Sequence, residues 1–153
     1  MRAVRFAPGL VETIGHHALA TYPEESCGFL YTPATLAEAD PRPVVAVEPA
    51  TNRVEGPRGR RFRILPEELR DAERRGEPRG QALTGFYHSH PDHPARPSEF
   101  DRDHAWPWYT YVVVSVARAG AGELGAFELD PDAQEFRSVE LSVADEPSGA
   151  REG

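Results

Sequence analysis

The chain has 153 residues, 39% of them hydrophobic and 27% charged, enough for one domain with a proper core and no need of covalent staples. Its formal charge of -8 argues against binding nucleic acid or an anionic membrane through bulk electrostatics. A single cysteine cannot form an intrachain disulfide, residues 1–6 lack the apolar core of a signal peptide, and no run is long enough to span a bilayer, so a cytoplasmic protein is expected.

Residues 2–6 read as a short strand, with Val4 and Phe6 on one face. Pro8 opens a helix to about Thr21 in which Leu10, Val11, Ile14 and Ala18 form an apolar stripe. His16 and His17 on this helix fit a solvated or core-edge role, and Tyr22-Pro23 ends it. A strand from Glu25 to Tyr31 follows, in which Cys27 and Phe29 share the parity of Glu25 and Glu24 faces the other way. Cys27 reads as a small buried thiol, and Gly28 as a site of close backbone packing.

Residues 43–48 and 61–65 read as two strands around a turn-rich link from Ala50 to Gly59. Arg58, Arg60, Arg61 and Arg63 fit a solvated strand edge better than an acidic partner. Pro66 starts a helix favoured by Glu67, Glu68 and Asp71, with Leu65, Leu69 and Ala72 buried, Arg74 and Arg75 near its end and Gly76 as its stop. Leu83 to His90 is apolar on both parities, as in a central strand covered on both faces, and Tyr109 to Val116 belongs beside it. Strands at about 123–129 and 134–142 join through Asp130-Pro131-Asp132. The domain is drawn at residues 1–143, with 144–153 a disordered polar tail. The fold class is α/β: one mixed sheet with flanking helices.

The chemistry gathers at Gly85-Phe86-Tyr87-His88-Ser89-His90-Pro91 and, after a loop, Pro97-Ser98-Glu99-Phe100-Asp101. Two histidines two apart on a strand share a face, and Ser98 reads as a helix N-cap with Asp101 in the first turn. His88, His90 and Asp101 could form a three-ligand zinc site with an open fourth position, the mark of catalytic zinc. Taken singly, each piece also has an ordinary explanation. Two such histidines are more often unremarkable, Ser98-x-x-Asp101 is a capping-box variant, and Pro91, Pro94 and Pro97 need mean only a rigid loop. His93 and His104, near the motif, fit loop or helix-surface roles.

In combination, His88-Ser89-His90-Pro91 with Ser98-x-x-Asp101 resembles the signature of the JAMM (MPN-plus, JAB-domain) zinc metallopeptidases. Pro23-Glu24-Glu25-Ser26-Cys27-Gly28-Phe29-Leu30 is similar to that family's upstream glutamate segment, with Glu25 in the glutamate's place. The resemblance covers nearly the whole chain. It implies a curved, cytidine-deaminase-like sheet, one Zn2+ per chain on His88, His90 and Asp101, Glu25 as the proton-transferring base, and Ser98 as a donor to the developing oxyanion.

Amide hydrolysis, peptide or isopeptide, is the activity so implied. The short stretch from Asp101 to Tyr109 lacks the insertions of ubiquitin-chain-cutting members. The chain thus resembles compact bacterial members that act on small ubiquitin-like sulfur carriers of the ThiS/MoaD type, trimming residues beyond a C-terminal Gly-Gly or releasing cysteine. Two other readings fit less well. A non-catalytic MPN-type module would have lost the ligands. A RadC-like protein linked to DNA repair would carry His-Asn-His-Pro-Ser-Gly and a DNA-binding segment. A metal-dependent deaminase is excluded because there is no Pro-Cys-x-x-Cys.

Overall fold

The computed structural model describes residues 1–50 and 64–145. In chain order these form β1 (Val4–Phe6), α1 (Leu10–Thr21), β2 (Cys27–Pro33), β3 (Arg42–Val44), β4 (Ala46–Ala50), α2 (Pro66–Gly76), β5 (Gln81–Pro91), α3 (Glu99–Asp103), β6 (Thr110–Ala117), β7 (Gly120–Asp130), β8 (Glu135–Val139) and β9 (Leu141–Val143). Six strands build one sheet in the order β4-β2-β5-β6-β7-β8, and three build a second in the order β3-β1-β9. Only β5 and β6 run parallel in the larger sheet, whereas both pairings of the smaller sheet are parallel.

Strand periodicity sends alternate residues of β5 into two cores. Tyr87 joins Val4, Phe6, Ile14, Ala18, Leu30, Val44, Val112 and Val114, the core between the large sheet, α1 and the small sheet. Phe86 joins Phe29, Tyr31, Ala72 and Tyr111 on the side of α2. Each buried large apolar side chain contributes on the order of 1.5–3 kcal/mol, so both faces are anchored by packing. Because β5 and β6 are parallel, the chain must cross over between them, and it does so through the loop after Pro91 and α3.

Gly28 is needed where it sits: an added Cβ would lie 2.2 Å from the Tyr87 ring and 2.5 Å from the Glu48 carbonyl oxygen. Register shifts at Leu30/Tyr31 in β2 and at Val114/Val116 in β6 put local bends into the large sheet.

Several expected boundaries move. The expected 43–48 strand is two strands, since at Val45 the chain leaves the small sheet for the large one. The expected 134–142 strand likewise breaks at Glu140, and β9 pairs with β1. Ile64 and Leu65 are not in a strand; Leu65 is the extended N-cap of α2, and the rest of the expected 61–65 strand and the four-arginine cluster lie outside the described residues. Gly76 is the last residue of α2, as expected, but it keeps right-handed geometry at φ -74 instead of the left-handed cap. Its Cβ would meet the Gln81 carbonyl at 2.6 Å, and Gly80, at φ 67, ends the following turn. Ala144 still donates its amide to Phe6, so the last strand is held one residue past the expected domain limit; 146–153 lie outside the described residues.

One buried group had no local signal. Arg42 is fully buried, its Nε donates to Ala37 O at 2.9 Å, and its Nη1 donates to Trp108 O at 2.9 Å and Thr110 Oγ1 at 3.1 Å. The Trp108 ring lies over its guanidinium at 4.3 Å. It ties β3 to the start of β6. No helix among the described residues is long and apolar enough to cross a membrane.

Candidate metal and catalytic site

Three segments meet at the C-terminal end of β5. His88 and His90 share the face of Phe86 and are buried there. Ser98 caps α3 in both directions: its Oγ accepts the Asp101 amide at 3.1 Å, while its own amide donates to Asp101 Oδ2 at 2.7 Å. This reciprocal cap turns the Asp101 carboxylate inward. Oδ2 stands 3.1 Å from His88 Nε2 and 3.2 Å from His90 Nε2, and the two Nε2 atoms are 3.2 Å apart.

Glu25 comes from the turn before β2, not from the strand itself, which starts at Cys27. Ser89 Oγ accepts the Ser26 amide at 2.8 Å and the Ser89 amide donates to Ser26 O at 3.0 Å, so β5 holds the peptide just after Glu25. Glu25 is buried and its Oε1 lies 3.9 Å from His90 Nε2, whereas Glu24 is exposed. Ligand-capable atoms of Glu25, His88 and His90 all lie within 4.8 Å of one another.

Whether these groups suit a cation follows from their donors. The ring of His90 faces Pro94 O through Nδ1 at 3.2 Å, and a carbonyl only accepts, so with its proton on Nδ1 a neutral His90 can donate there and leave Nε2 for a metal. A second ring nitrogen bonded to a backbone carbonyl is the usual partner arrangement of a metal-ligating histidine. Ligand atoms about 2.0–2.1 Å from a tetrahedral ion are roughly 3.3 Å apart, close to the spacings among His88, His90 and Asp101. The residues fit a metal ion.

Electrostatics agree. Burial lowers the His88 pKa, favouring the neutral ring a metal needs, although Asp101 opposes the shift. Burial alone would raise the pKa of Asp101, but the imidazoles and the Ser98 amide outweigh it and hold it below the ordinary range. Glu25 differs: burial, with the Asp101 charge added, pushes it up to about 9. A cation beside it favours the carboxylate instead.

Glu25, His90, Pro94, Arg96 and Ser98 line a cleft of about 530 Å³. On the side of Asp101, Phe86, Trp106 and Tyr111 line a second hollow of about 240 Å³. Cys27 stays apart as a buried thiol; burial, with Glu68 and Glu25, pushes it up to about 12. His93 is exposed at the mouth of the cleft, and His104 turns back on its own helix, donating from Nδ1 to Phe100 O at 2.8 Å. His16 is exposed, and His17 is the core-edge residue, with Nδ1 2.6 Å from the Tyr87 hydroxyl. Ser89 and the pair Tyr22–Asp92 were missed in the sequence. The Tyr22 hydroxyl donates to Asp92 at 2.9 Å, and Asp92 at φ 59 makes the sharp turn that leaves β5; an aspartate right after Pro91 was the available sign of that turn.

Known proteins share the sequence and fold that carry this cluster. Residues 8–130 match the family described as prokaryotic homologs of the JAB domain. A relative named Desampylase, from Haloferax volcanii, is 38% identical over 123 residues, which cover 80% of this chain and 78% of that protein. A solution structure of a Salinibacter ruber protein is 38% identical, with a TM-score of 0.70 and 92% of each chain covered. A structure described as JAMM, a metalloprotease-like zinc site in the proteasome and signalosome, shares the fold at 18% identity and a TM-score of 0.54, over 94% of this chain and 100% of that one. The family match over four-fifths of the length, and a buried cluster of two histidines and two carboxylates at the end of β5, lead to one conclusion: the chain belongs to the prokaryotic JAB-domain family and is a JAMM-type hydrolase.

Proposed function

We propose that the protein is a zinc-dependent amide hydrolase that cuts at the C-terminal Gly-Gly of a small ubiquitin-like carrier of the ThiS/MoaD type. The observation that carries the hydrolytic part is the convergence of His88 Nε2, His90 Nε2 and Asp101 Oδ2 at 3.1–3.2 Å, with the Glu25 carboxylate just beyond. His88, His90 and Asp101 would hold zinc. The ion, when bound, supplies Lewis acidity and lowers the pKa of water to about 7.

The chain's own residues do the rest. Glu25 accepts the proton of the attacking water and passes it to the leaving amine, so that the C–N bond breaks to a glycine carboxylate and a free amine. Ser98 accepts the Asp101 amide with a lone pair and keeps its O–H proton, so one hydroxyl serves both the cap and a developing oxyanion. Such a donor is worth roughly 3 kcal/mol of transition-state stabilisation. The carrier reading is supported by the short crossover, which offers little surface for a folded ubiquitin, and by the relative's name, which marks a deconjugating enzyme. A Gly-Gly tail suits a groove walled by Pro91, Pro94 and Pro97.

Elemental analysis should find close to one zinc per chain and its loss in His88→Ala. Glu25→Gln should keep the zinc and abolish cleavage of an extended carrier, while Glu24→Gln changes neither. Equal zinc in wild type and His88→Ala, or activity in Glu25→Gln, overturns the assignment. Efficient cutting of ubiquitin chains with the carrier left intact overturns the substrate.

A further inference from the structure

The carbonyl of Pro94 has two partners. It faces His90 Nδ1 at 3.2 Å and accepts the Arg96 amide at 2.8 Å, so its direction is set from two sides. It belongs to residues 92–97, which form no helix or strand and whose exposed His93, Pro94 and Arg96 wall the cleft. Whatever holds this loop therefore aims the carbonyl at the ring of His90.

Three anchors hold it, each from elsewhere in the chain. The Asp92 amide donates to Val116 O at 2.7 Å, just past the parallel pairing of β5 with β6. The Ala95 carbonyl lies against Gly125 of β7, where an added Cβ would stand 2.7 Å from its oxygen. The Tyr22 hydroxyl donates to the Asp92 carboxylate, 2.9 Å and 3.0 Å from its two oxygens. Tyr22 is the C-cap of α1, and its ring packs on the core that α1 shares with Tyr87. The ring is a fixed post from which the hydroxyl reaches the loop. Asp92 needs such a partner, since at φ 59 it holds a left-handed turn that residues bearing a Cβ avoid.

We infer that Tyr22 is a positioning residue for the metal site: through Asp92 it sets the turn that aims the Pro94 carbonyl at His90, and so keeps the imidazole Nε2 toward Asp101 and a bound ion. The inference rests on the metal reading above. It adds a residue that lines neither the cleft nor the aromatic hollow. Losing the outer partner of a metal-ligating histidine weakens metal binding roughly ten- to a hundredfold. An effect relayed through a loop belongs at the lower end.

The test has two arms. In the first, competition with a chelator measures the zinc Kd well below the unfolding transition, so that every variant is folded. Tyr22→Phe should bind zinc about tenfold more weakly than wild type. Asp92→Asn keeps an acceptor for the hydroxyl and suits the left-handed turn, so it should stay near wild type. Adding Tyr22→Phe to Asp92→Ala should weaken zinc no further, as expected of one shared bond. An unchanged Kd in Tyr22→Phe, or losses that add in the double variant, overturns the inference. In the second arm, NMR of the zinc-free protein follows the His90 ring and the Arg96 amide. Tyr22→Phe should shift the ring signals and speed exchange of that amide, while core amides such as Val112 exchange as in wild type. This arm does not need the metal: a wild type that binds no zinc removes the metal reading, and the His90 ring then decides the role of Tyr22. Unmoved His90 signals overturn that role.

Discussion

The two faces of β5 differ in how their polar groups are settled. Toward α1, Tyr87 lies across Gly28 in an aliphatic core, and its hydroxyl is taken up by His17 at 2.6 Å. Toward α2 and α3, His88 and His90 bring their Nε2 atoms to within 3.1–3.2 Å of Asp101 Oδ2 and of each other. The first face closes on a single hydrogen bond; the second gathers imidazole and carboxylate atoms that could hold a cation.

The largest break in this contrast should come from Gly28→Ala. A Cβ there meets the Tyr87 ring and the Glu48 carbonyl, two rigid neighbours, and should cost about 3 kcal/mol in urea unfolding, with or without zinc. A wild-type-like midpoint would show that the Tyr87 core can yield.

The open face should show itself in pH. In the metal-free protein the Glu25 pKa is about 9 against 4.5 in the unfolded chain, so the folded state holds an extra proton between these values. Stability from this group is full below 4.5 and is lost as pH rises to about 9, by at most about 1.4 kcal/mol per pH unit. The lowered pKa of His88 works oppositely but only below its ordinary 6.5, so the window from 6.5 to 9 isolates Glu25. Urea midpoints of metal-free protein should fall across that window and stay flatter in Glu25→Gln. Equal slopes in the two proteins would refute the burial of a proton on Glu25.

The smallest effect joins the faces. Ser89→Ala removes the acceptor of the buried Ser26 amide and should cost about 1–2 kcal/mol, retaining zinc but loosening Glu25. A drop in kcat with one zinc still bound is expected; loss of the zinc would show that Ser89 supports the ligands instead.

Much of the site was legible because its rules are local. Period two puts His88 and His90 on one face, and Ser98-x-x-Asp101 is a cap whatever else it does; Glu25 was picked over Glu24 by strand parity, although it lies before β2 begins. Pro66 marked the start of α2 for the same reason. What could not be read depends on distant partners. A strand that changes sheets at Val45 or Glu140 stays extended and keeps its alternation, so nothing in the run announces the break. Gly76 does end α2, but the close approach of the Gln81 carbonyl that also calls for a glycine there is invisible to helix rules. Arg42 carries no local mark either, since its acceptors at Thr84 and Trp108 are set by topology.

Arg42 also bears on how such a protein can diversify. The crossover between β5 and β6 is strapped at both ends, by Tyr22–Asp92 where it leaves and by Arg42–Trp108 where it returns. The reciprocal cap at Ser98 seats Asp101 in between without help from the later residues, and Asp103 and His104 are exposed. Loop closure grows costlier by only about 0.6 kcal/mol per doubling of length. New sequence inserted after Asp103 would therefore leave His88, His90 and Asp101 in register while adding surface beside the aromatic hollow. The stretch that seats Asp101 and the stretch that returns to β6 are thus anchored separately, so the second can lengthen without moving the first.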